Sequence, residues 1–419
     1  MQYRALDKVV DRLLIFMLVM STGGMLFVLN RNIASITFFV LLVFVLVFFG
    51  FRLKKLVFSP VVLTFVSLVL LGCINYFFAA VEQSANKYGF HLLTVVISVL
   101  TVLHFQNNRE NRAFIKGLYF VLKLILFHSV VSFAIYFFVK DNLSIVTSNY
   151  HEYDTFRSLF FYSTEKGIID LFGMDFCRNQ GLFWEPGVLQ GYLNLLFFIE
   201  AFIIKRSKSM LFLTSFMILT TYSTTGLALL FLQAIIYIKN EFKINIATFL
   251  IIVVGVPLYI LFTVNMNEKM YGEGESSFQK RLFDLTQPLF IAFEYPLTGI
   301  GMDVEQFQHM RTEFYFSSNT LKGFQEQIGI KSKVDATDKG SSNSVMFLFA
   351  SMGFPTTILF LVMLFRQNLI KEKRNLFIFM VLILVMSSPL LLRPFFFMLI
   401  ASGFFSYFTR ITSYRKKLV

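Results

Sequence analysis

LVFSPVVLTFVSLVLLGCINYFFAA, residues 56–80, contains no charged side chain. Its apolar residues form a continuous run, so it does not read as a strand with one wet face. Wound as an α-helix at about 1.5 Å per residue it reaches about 37 Å, more than the ~30 Å of bilayer hydrocarbon. Backbone groups in lipid must satisfy one another, which leaves helices or closed barrels, and a continuous run selects the helix. Comparable runs flank it at 13–30, 33–51, 88–106, 113–139, 186–204, 209–223, 225–238, 244–265, 342–365, 376–389 and 391–409. The chain is 56% hydrophobic and 15% charged, with mean hydropathy +0.67, whereas a soluble domain is roughly a quarter charged. The expectation is an all-α integral membrane protein with about 12 transmembrane helices.

The net charge of +13 would point to nucleic acid in a soluble protein. Here the basic residues fall in short clusters between apolar runs, and no aromatic and basic interleaving argues for nucleic acid. Alternate connections carry Arg4/Lys8/Arg12, Arg52/Lys54/Lys55, Arg109/Arg112/Lys116, Lys205/Arg206/Lys208, Lys239/Lys243, Arg366/Lys371/Lys373/Arg374 and Arg410/Arg415/Lys416/Lys417. The opposite short turns carry only Arg31, Lys87 and Arg393. Positive charge stays on the cytoplasmic side, so both termini are expected there and two long polar segments, 140–185 and 266–341, face outward. The layout is then helices 1–5 within 1–139, the first large loop at 140–185, helices 6–9 within 186–265, the second large loop at 266–341, and helices 10–12 with a cytoplasmic tail in 342–419. Residues 13–29 follow Arg4, Lys8 and Arg12 as a signal peptide would, but no small-x-small cleavage site follows, so they read as a retained span.

Segments 209–223 and 225–238 are short; each reaches only about 21 Å. A hairpin fits them better than one long helix, which would put two basic clusters on opposite faces. Its polar turn, Thr221-Tyr222-Ser223-Thr224-Thr225-Gly226, then lies at membrane depth, where irregular backbone persists only inside protein or beside a wet cavity. The pair 376–389 and 391–409 repeats the feature, with Ser387-Ser388-Pro389 and Arg393-Pro394 at its turn.

Three constellations carry chemistry. In Arg178-Asn179-Gln180-Gly181-Leu182-Phe183-Trp184-Glu185-Pro186-Gly187, Pro186 suits the first turn of a helix because its missing N–H is unneeded there. The helix N-terminus offers partial positive charge and free amides, and the Arg178 guanidinium can hold a phosphate bidentately. The alternative is a plain helix start with an interfacial Trp184 and a headgroup-binding arginine. The second runs from Phe278-Gln279-Lys280-Arg281 with apolar positions at helical spacing through Phe293, and ends at Glu294-Tyr295-Pro296-Leu297-Thr298-Gly299-Ile300-Gly301. It reads as a helix along the membrane surface bearing Arg281 as a second cation; taken alone, the stretch favours the plainer alternative, an amphipathic surface helix with a solvated arginine. The third is Ser341-Ser342-Asn343-Ser344, good N-cap residues opening the span at 342.

Elsewhere, Lys123 lies in a span and can snorkel, and Arg393 sits in a turn at membrane depth, where an ionisable residue is a functional candidate. Cys73 and Cys177 fall in different settings and predict no disulfide. The five histidines show no metal-ligand spacing; His151 and His309 are acid/base candidates by type. No nucleotide fingerprint is present.

The pieces Arg178-x-x-Gly181-x-Phe183-x-Glu185-Pro186, Tyr222-Ser223-Thr224-Thr225-Gly226, Arg281 followed by Pro296-x-x-Gly299-x-Gly301, and Ser342-Asn343 opening a span that reaches Gly353 occur in order, on one side of the membrane. Together with the end-to-end hydropathy profile, the chain resembles the bacterial O-antigen polymerase (Wzy) family, within the group that also holds the O-antigen ligases. The resemblance implies a GT-C-like polytopic glycosyltransferase of the inner membrane with two large periplasmic loops and a periplasmic active site. Its substrate would be undecaprenyl-pyrophosphate-linked oligosaccharide; the growing chain leaves its carrier and joins the non-reducing sugar of a new unit. Membrane lipids and a chain-length regulator protein are the other implied partners, and neither cofactor nor metal is implied.

Charge develops on the departing pyrophosphate, so cations and oriented amides are needed there. Arg178 and Arg281 are the expected catalytic cations, with Glu185 as candidate base for the acceptor hydroxyl. Gly181, Tyr222, Ser223, Gly299, Gly301, Ser342, Asn343 and Arg393 are the expected substrate-binding positions. Where the ligase branch carries a His beside the late Asn, this chain has Ser342, which favours polymerase over ligase. A lipid-linked oligosaccharide flippase or other transporter is the reading from a different class. Broken-looking helices and Lys123 favour it; two long external loops and the lack of an internal repeat oppose it.

Overall fold

The computed structural model describes residues 5–25, 31–48, 55–107, 112–139, 144–148, 151–158, 161–164, 168–171, 174–205, 207–271, 275–327 and 341–418. Within the basic clusters, Arg4, Arg52, Lys54, Arg109 and Arg206 lie outside the described residues, as do 26–30 and 49–51 of two expected spans. The side chains of Arg31, Lys55, His151, Arg415, Lys416 and Lys417 are also outside the description.

Helices occupy each apolar segment. They are α1 (Ala5–Met20), α2 (Arg31–Phe48), α3 (Lys55–Phe78), α4 (Ala85–Asn107) and α5 (Ala113–Val139). The first polar segment forms short antiparallel pieces: β1 (Ser144–Ser148), β2 (His151–Ser158) and β3 (Phe161–Thr164) pair in that order, and β4 (Ile168–Leu171) pairs with β5 (Met174–Cys177). There follow α6 (Pro186–Phe198), α7 (Lys208–Thr220), α8 (Thr224–Glu241) and α9 (Ile244–Tyr271). The second polar segment supplies α10 (Glu275–Glu294), α11 (Val304–Ser317) and α12 (Asn319–Gln327), and the chain continues with α13 (Ser344–Phe365), α14 (Arg374–Ser387) and α15 (Pro394–Leu418). Among the described residues, 7 helices are long and apolar enough to cross a membrane, within α3, α4, α5, α6 with its continuation, α9, α13 and α15. The chain is a helical, polytopic membrane protein.

The chain divides into two compact units. The first comprises Met1–Phe38, Arg112–Gly272 and Glu372–Met380. In it α1 packs on α5, and α6 packs on α5, α7 and α8. The first expected span begins and ends early: α1 stops at Met20 instead of running to 30. Ser21 and Thr22 turn their hydroxyls onto the Leu18 carbonyl at 2.9 Å each, and Gly24 closes the turn on Met20 O at 2.6 Å. Such side-chain donors compete with the helix ladder, and Gly-Gly tolerates the turn. The short hairpin forms as expected, with α7 and α8 parted at Thr221–Ser223 and Tyr222 at φ +43°. Helix α6 continues as a π-helical turn, Ile199–Ile204, ending on left-handed Lys205. The turn carries fully buried Glu200, whose carboxylate accepts Tyr119 Oη–H at 2.6 Å and the Ser207 amide.

The second unit comprises Phe39–Asn111, Glu273–Lys371 and Val381–Val419. There α15 packs against α3, α4 and α13, and α10 lies along α13. Gly403 permits the α13–α15 contact, because a Cβ there would strike the Met363 carbonyl. Close backbone approach at small residues is how helices associate where lipid removes the hydrophobic drive. The helices of the second polar segment share a core with α13: Ile291, Ile300 and Phe307 pack with Phe347 and Ala350. Burying a side chain such as fully enclosed Phe307 stabilises by roughly 1.5–3 kcal/mol.

Candidate functional site

In the first unit the polar centre is the loop between β5 and α6. Asn179 organises it. Its Oδ1 accepts the Gly181 amide at 3.0 Å, closing a tight turn that Gly181 completes at φ +53°. Its Nδ2 donates to Ser129 Oγ at 2.9 Å and Thr220 Oγ1 at 3.2 Å, and its amide donates to Thr220 O at 3.0 Å. Buried Asn179 therefore ties the loop to α5 and to the end of α7. Arg178 Nε donates to Thr221 O at 3.0 Å, so the guanidinium is held against the α7–α8 turn. On the other flank the Gly23-Gly24 turn after α1 pairs with the same loop: Met25 N–H donates to Leu182 O at 2.8 Å, and Trp184 N–H to Gly23 O at 3.3 Å. Phe183 is fully buried and stacks on Tyr192 of α6 with centroids 4.9 Å apart.

Pro186 takes the first position of α6, as its chemistry predicts, and Glu185 is the N-cap residue without a side-chain cap bond. Gln180 is fully buried, and neither polar atom of its carboxamide finds a partner among the described residues. The α7–α8 turn that receives Arg178 is itself braced. Tyr222 O accepts Asn265 Nδ2 at 3.2 Å, and Thr224 Oγ1 donates to Asn265 Oδ1. Deeper along α6, Asn194 Nδ2 bonds Gln190 and Asn194 Oδ1 accepts Gln233 Nε2 of α8 at 2.8 Å. Buried amides inside apolar helices are costly unless satisfied, and they mark functional interiors.

In the second unit the polar centre is built on Asp284, fully buried on α10. Oδ1 accepts Arg311 Nη2 of α11 at 2.7 Å. Oδ2 accepts both the Ser342 amide at 2.8 Å and the Ser342 hydroxyl at 2.6 Å. Gln287, one turn on, accepts Arg311 Nε and donates to Arg311 O. The Arg311 guanidinium lies 4.3 Å over the Phe283 ring. Burial pulls the Arg311 guanidinium down from its ordinary value, and Asp284 opposes that shift. Asn343 caps α13 as its sequence predicts, accepting the Val345 and Met346 amides. Ser344 Oγ then donates to Ser388 O at 2.7 Å and accepts the Leu391 amide at 3.3 Å. The start of α13 is thereby joined to the α14–α15 turn that carries Arg393.

Gly299 and Gly301 have a packing reason. Helix α13 breaks at Gly353, φ +72° and ψ 174°, and the segment Pro296–Gly301 lies along the break. Ile300 and Gly301 donate to Ala350 O and Ser351 O at 2.9 Å each, and Phe354 N–H donates to Pro296 O at 2.8 Å. Asn75 Nδ2 reaches both Thr298 O and Ser351 O at 2.8 Å. Gln83 Nε2 holds Ile300 O at 2.8 Å. Every exposed carbonyl of a broken span needs such a partner. A Cβ on Gly299 would sit 2.5 Å from Ala350 O, and one on Gly301 would strike the Gln83 carboxamide.

Of the expected residues, the first unit gathers Arg178, Gly181, Glu185, Tyr222 and Ser223 around one loop and one turn. The second gathers Ser342, Asn343 and the Arg393 turn, and keeps Gly299 and Gly301 in the break of α13. Arg281 is exposed on α10; the enclosed cation of that region is Arg311, which the sequence reading passed over together with Asp284, Gln287, Asn75, Gln83 and Asn265. The polar i, i+3 pair Asp284 and Gln287 within an otherwise apolar helical face was the available signal. Exposed His309 lies 3.7 Å from Glu313. Lys123 stands 4.7 Å over the Tyr119 ring. Among the described residues no three His, Cys, Asp or Glu side chains come together in a set that could hold a metal ion. No protein-family model matches the chain, and no curated protein matches it.

Proposed function

We propose that the chain is a surface-polysaccharide polymerase of the O-antigen polymerase type, with twelve spans, in the bacterial inner membrane. It joins undecaprenyl-pyrophosphate-linked repeat units by block glycosyl transfer. The observation that carries this reading is the Arg178–Glu185 loop. A guanidinium held against the α7–α8 turn, a left-handed glycine turn and the N-terminus of α6 meet in ten residues of chain or fewer. That set is complementary to an anion with several oxygens. A departing pyrophosphate gains negative charge in the transition state, so donors oriented beforehand lower its barrier. The distribution of the basic clusters favours the periplasmic face for this loop. The same charge rule favours the periplasmic face for the second polar segment, α10–α12. Arg281, exposed on α10, and Arg393, in the α14–α15 turn, are the further cations of the proposal, both within the second unit. Glycan arrives on its own activated carrier, whose pyrophosphate is the leaving group, so the reading needs no nucleotide.

Arg178→Ala should abolish long glycan chains while the protein stays inserted and abundant. Arg178→Lys should also be impaired if both guanidinium edges are used. Normal ladders from both variants would remove Arg178 from the mechanism. A ligase would share the pyrophosphate chemistry and differ in acceptor. The transporter reading has its own support: α13 is broken at Gly353, and Gln190, Asn194 and Gln233 are buried and hydrogen-bonded to one another. It predicts lipid-linked single units retained on the cytoplasmic face when the chain is missing.

A further inference from the structure

Within the second unit, α4 is a ruler for depth. Its apolar window, Ala85–Gln106, is long enough to cross the bilayer. At one end Lys87 pairs with Asp303 of the second polar segment at 3.1 Å. At the other, Gln106 Nε2 donates to Asn368 Oδ1 at 3.0 Å, just past the end of α13. Between them Ser98 Oγ donates to the carbonyl of Pro394, the first residue of α15, at 3.3 Å. Ser98 lies about 16 Å along α4 from Lys87 and about 12 Å from Gln106. Helix α15 gives the same depth by its own rise. The Asn368 amide donates to Ser402 Oγ at 3.4 Å, and Ser402 is about 12 Å along the helix from Pro394. Past Ser402 the helix runs on beside Arg366, whose guanidinium stands 5.3 Å over the Tyr407 ring. The α14–α15 turn, 388–393, is therefore sunk to near the middle of the span.

The turn is not sealed at that depth. Pro389 is exposed and Arg393 is half-buried. The start of α13 stands level with it, because Ser344 Oγ donates to Ser388 O and accepts the Leu391 amide; Ser342, just before, is half-buried too. Leu392 of the turn packs on the core that Phe307 shares with α13, so the second polar segment reaches down to it. Non-helical backbone and a guanidinium persist at membrane depth only inside protein or beside water, and partial exposure leaves water. We propose that the α14–α15 turn floors an aqueous recess, open on the side of the second polar segment, and that the recess takes a saccharide. A pyranose has hydroxyl edges and apolar C–H faces. Arg393 supplies donors for the edges, the Ser342 hydroxyl a further polar contact, and the exposed Pro389 ring an apolar surface, the mixture that small-molecule sites use. The choice of saccharide rests on the polymerase reading and deepens it by naming where the second unit meets glycan; the recess itself rests on the geometry of α4 and α15.

The test labels single cysteines in the full chain with a membrane-impermeant thiol reagent added outside the inner membrane. Cys73→Ser and Cys177→Ser first remove the native thiols. Arg393→Cys and Pro389→Cys report on the floor, each alone sufficient if the other fails to insert. Ile358→Cys is the lipid-facing control: Ile358 is 50% exposed on α13, and it lies about 15 Å along the chain from Asn368, close to the depth of Ser98. Labelling after denaturation verifies that each thiol is present. The floor variants should react on the order of 100-fold faster than the control, the effect of raising a thiol's pKa by about two units in an apolar setting. Floor variants as slow as Ile358→Cys overturn the recess. The oligosaccharide repeat unit released from the strain's own surface glycan should slow labelling of the floor, and inorganic pyrophosphate should not. Labelling that the oligosaccharide leaves unchanged, or that pyrophosphate slows in its place, overturns the saccharide assignment. Failure of the polymerase reading shows elsewhere, in the glycan of a deletion strain, and leaves the labelling of the floor as it is.

Discussion

Asp284→Leu should loosen the second unit locally and strongly, and Asp284→Leu with Arg311→Leu should restore most of what is lost. The carboxylate accepts three hydrogen bonds, from Arg311 Nη2, Ser342 N and Ser342 Oγ. The two side chains are 0% and 6% exposed. Removing one member of a buried ion pair leaves an uncompensated charge and costs about 3–5 kcal/mol, whereas replacing both by apolar groups is often neutral. The double variant still strands the Ser342 amide and hydroxyl and the Gln287 carboxamide, at about 1–3 kcal/mol per unsatisfied group. The Ser342 hydroxyl is partly exposed, and water offsets its share. The assay is hydrogen exchange of α10–α12 in lipid nanodiscs, which reads local opening. A loss of 3–5 kcal/mol accelerates exchange by roughly two to four decades. The double variant should recover at least half of that on the logarithmic scale. Equal exchange in wild type and Asp284→Leu would refute the claim that this pair holds the helices to α13. A double variant worse than the single would refute the stranded-charge explanation.

Further outcomes follow from other contacts. Gly299→Ala should destabilise more than Gly301→Ala: both are left-handed, at φ +69° and +93°, but the first forces a Cβ against the Ala350 backbone carbonyl while the second meets the end of the Gln83 side chain. The backbone conformation alone costs about 1–2 kcal/mol, and thermal unfolding in detergent orders the two. Asn265→Leu should remove its hydrogen bonds to the Tyr222 carbonyl and the Thr224 hydroxyl and speed exchange at the α7–α8 turn, by the equivalent of about 0.5–1.5 kcal/mol per bond lost. Arg281→Ala should leave the protein inserted and abundant, since the side chain is exposed. Loss of long glycan in that variant then reads as lost substrate contact, and an unchanged ladder removes Arg281 from the proposed site.

What the sequence made legible were features with local causes. Pro186 opens α6 because its ring fits the first helical turn, and Asn343 caps α13 with the side chain its chemistry favours. The break at Thr221–Ser223 follows from a short apolar run meeting polar residues. Length and composition suffice for the helical membrane class. What escaped the reading depends on residues far apart in sequence. Asp284 and Arg311 sit on separate helices, and each alone reads as an ordinary surface charge. Gly299 and Gly301 stand out as punctuation, but their reason, the break of α13 at Gly353, lies some fifty residues on and shows only when Ala350 and Ser351 are seen to take their amides. The end of α1 at Met20 escaped because hydropathy averages over Ser21-Thr22-Gly23-Gly24, whose hydroxyls and glycines end a helix within an otherwise apolar run.

The most direct test of the central claim is the surface glycan of a strain lacking this chain, compared on a gel with the same strain after the gene is restored. The account predicts glycan carrying a single repeat unit in the deletion and a full ladder on restoration. Bare core with lipid-linked polymer accumulating outside the membrane would contradict it in favour of a ligase, and bare core with single units held on the cytoplasmic face would contradict it in favour of a transporter.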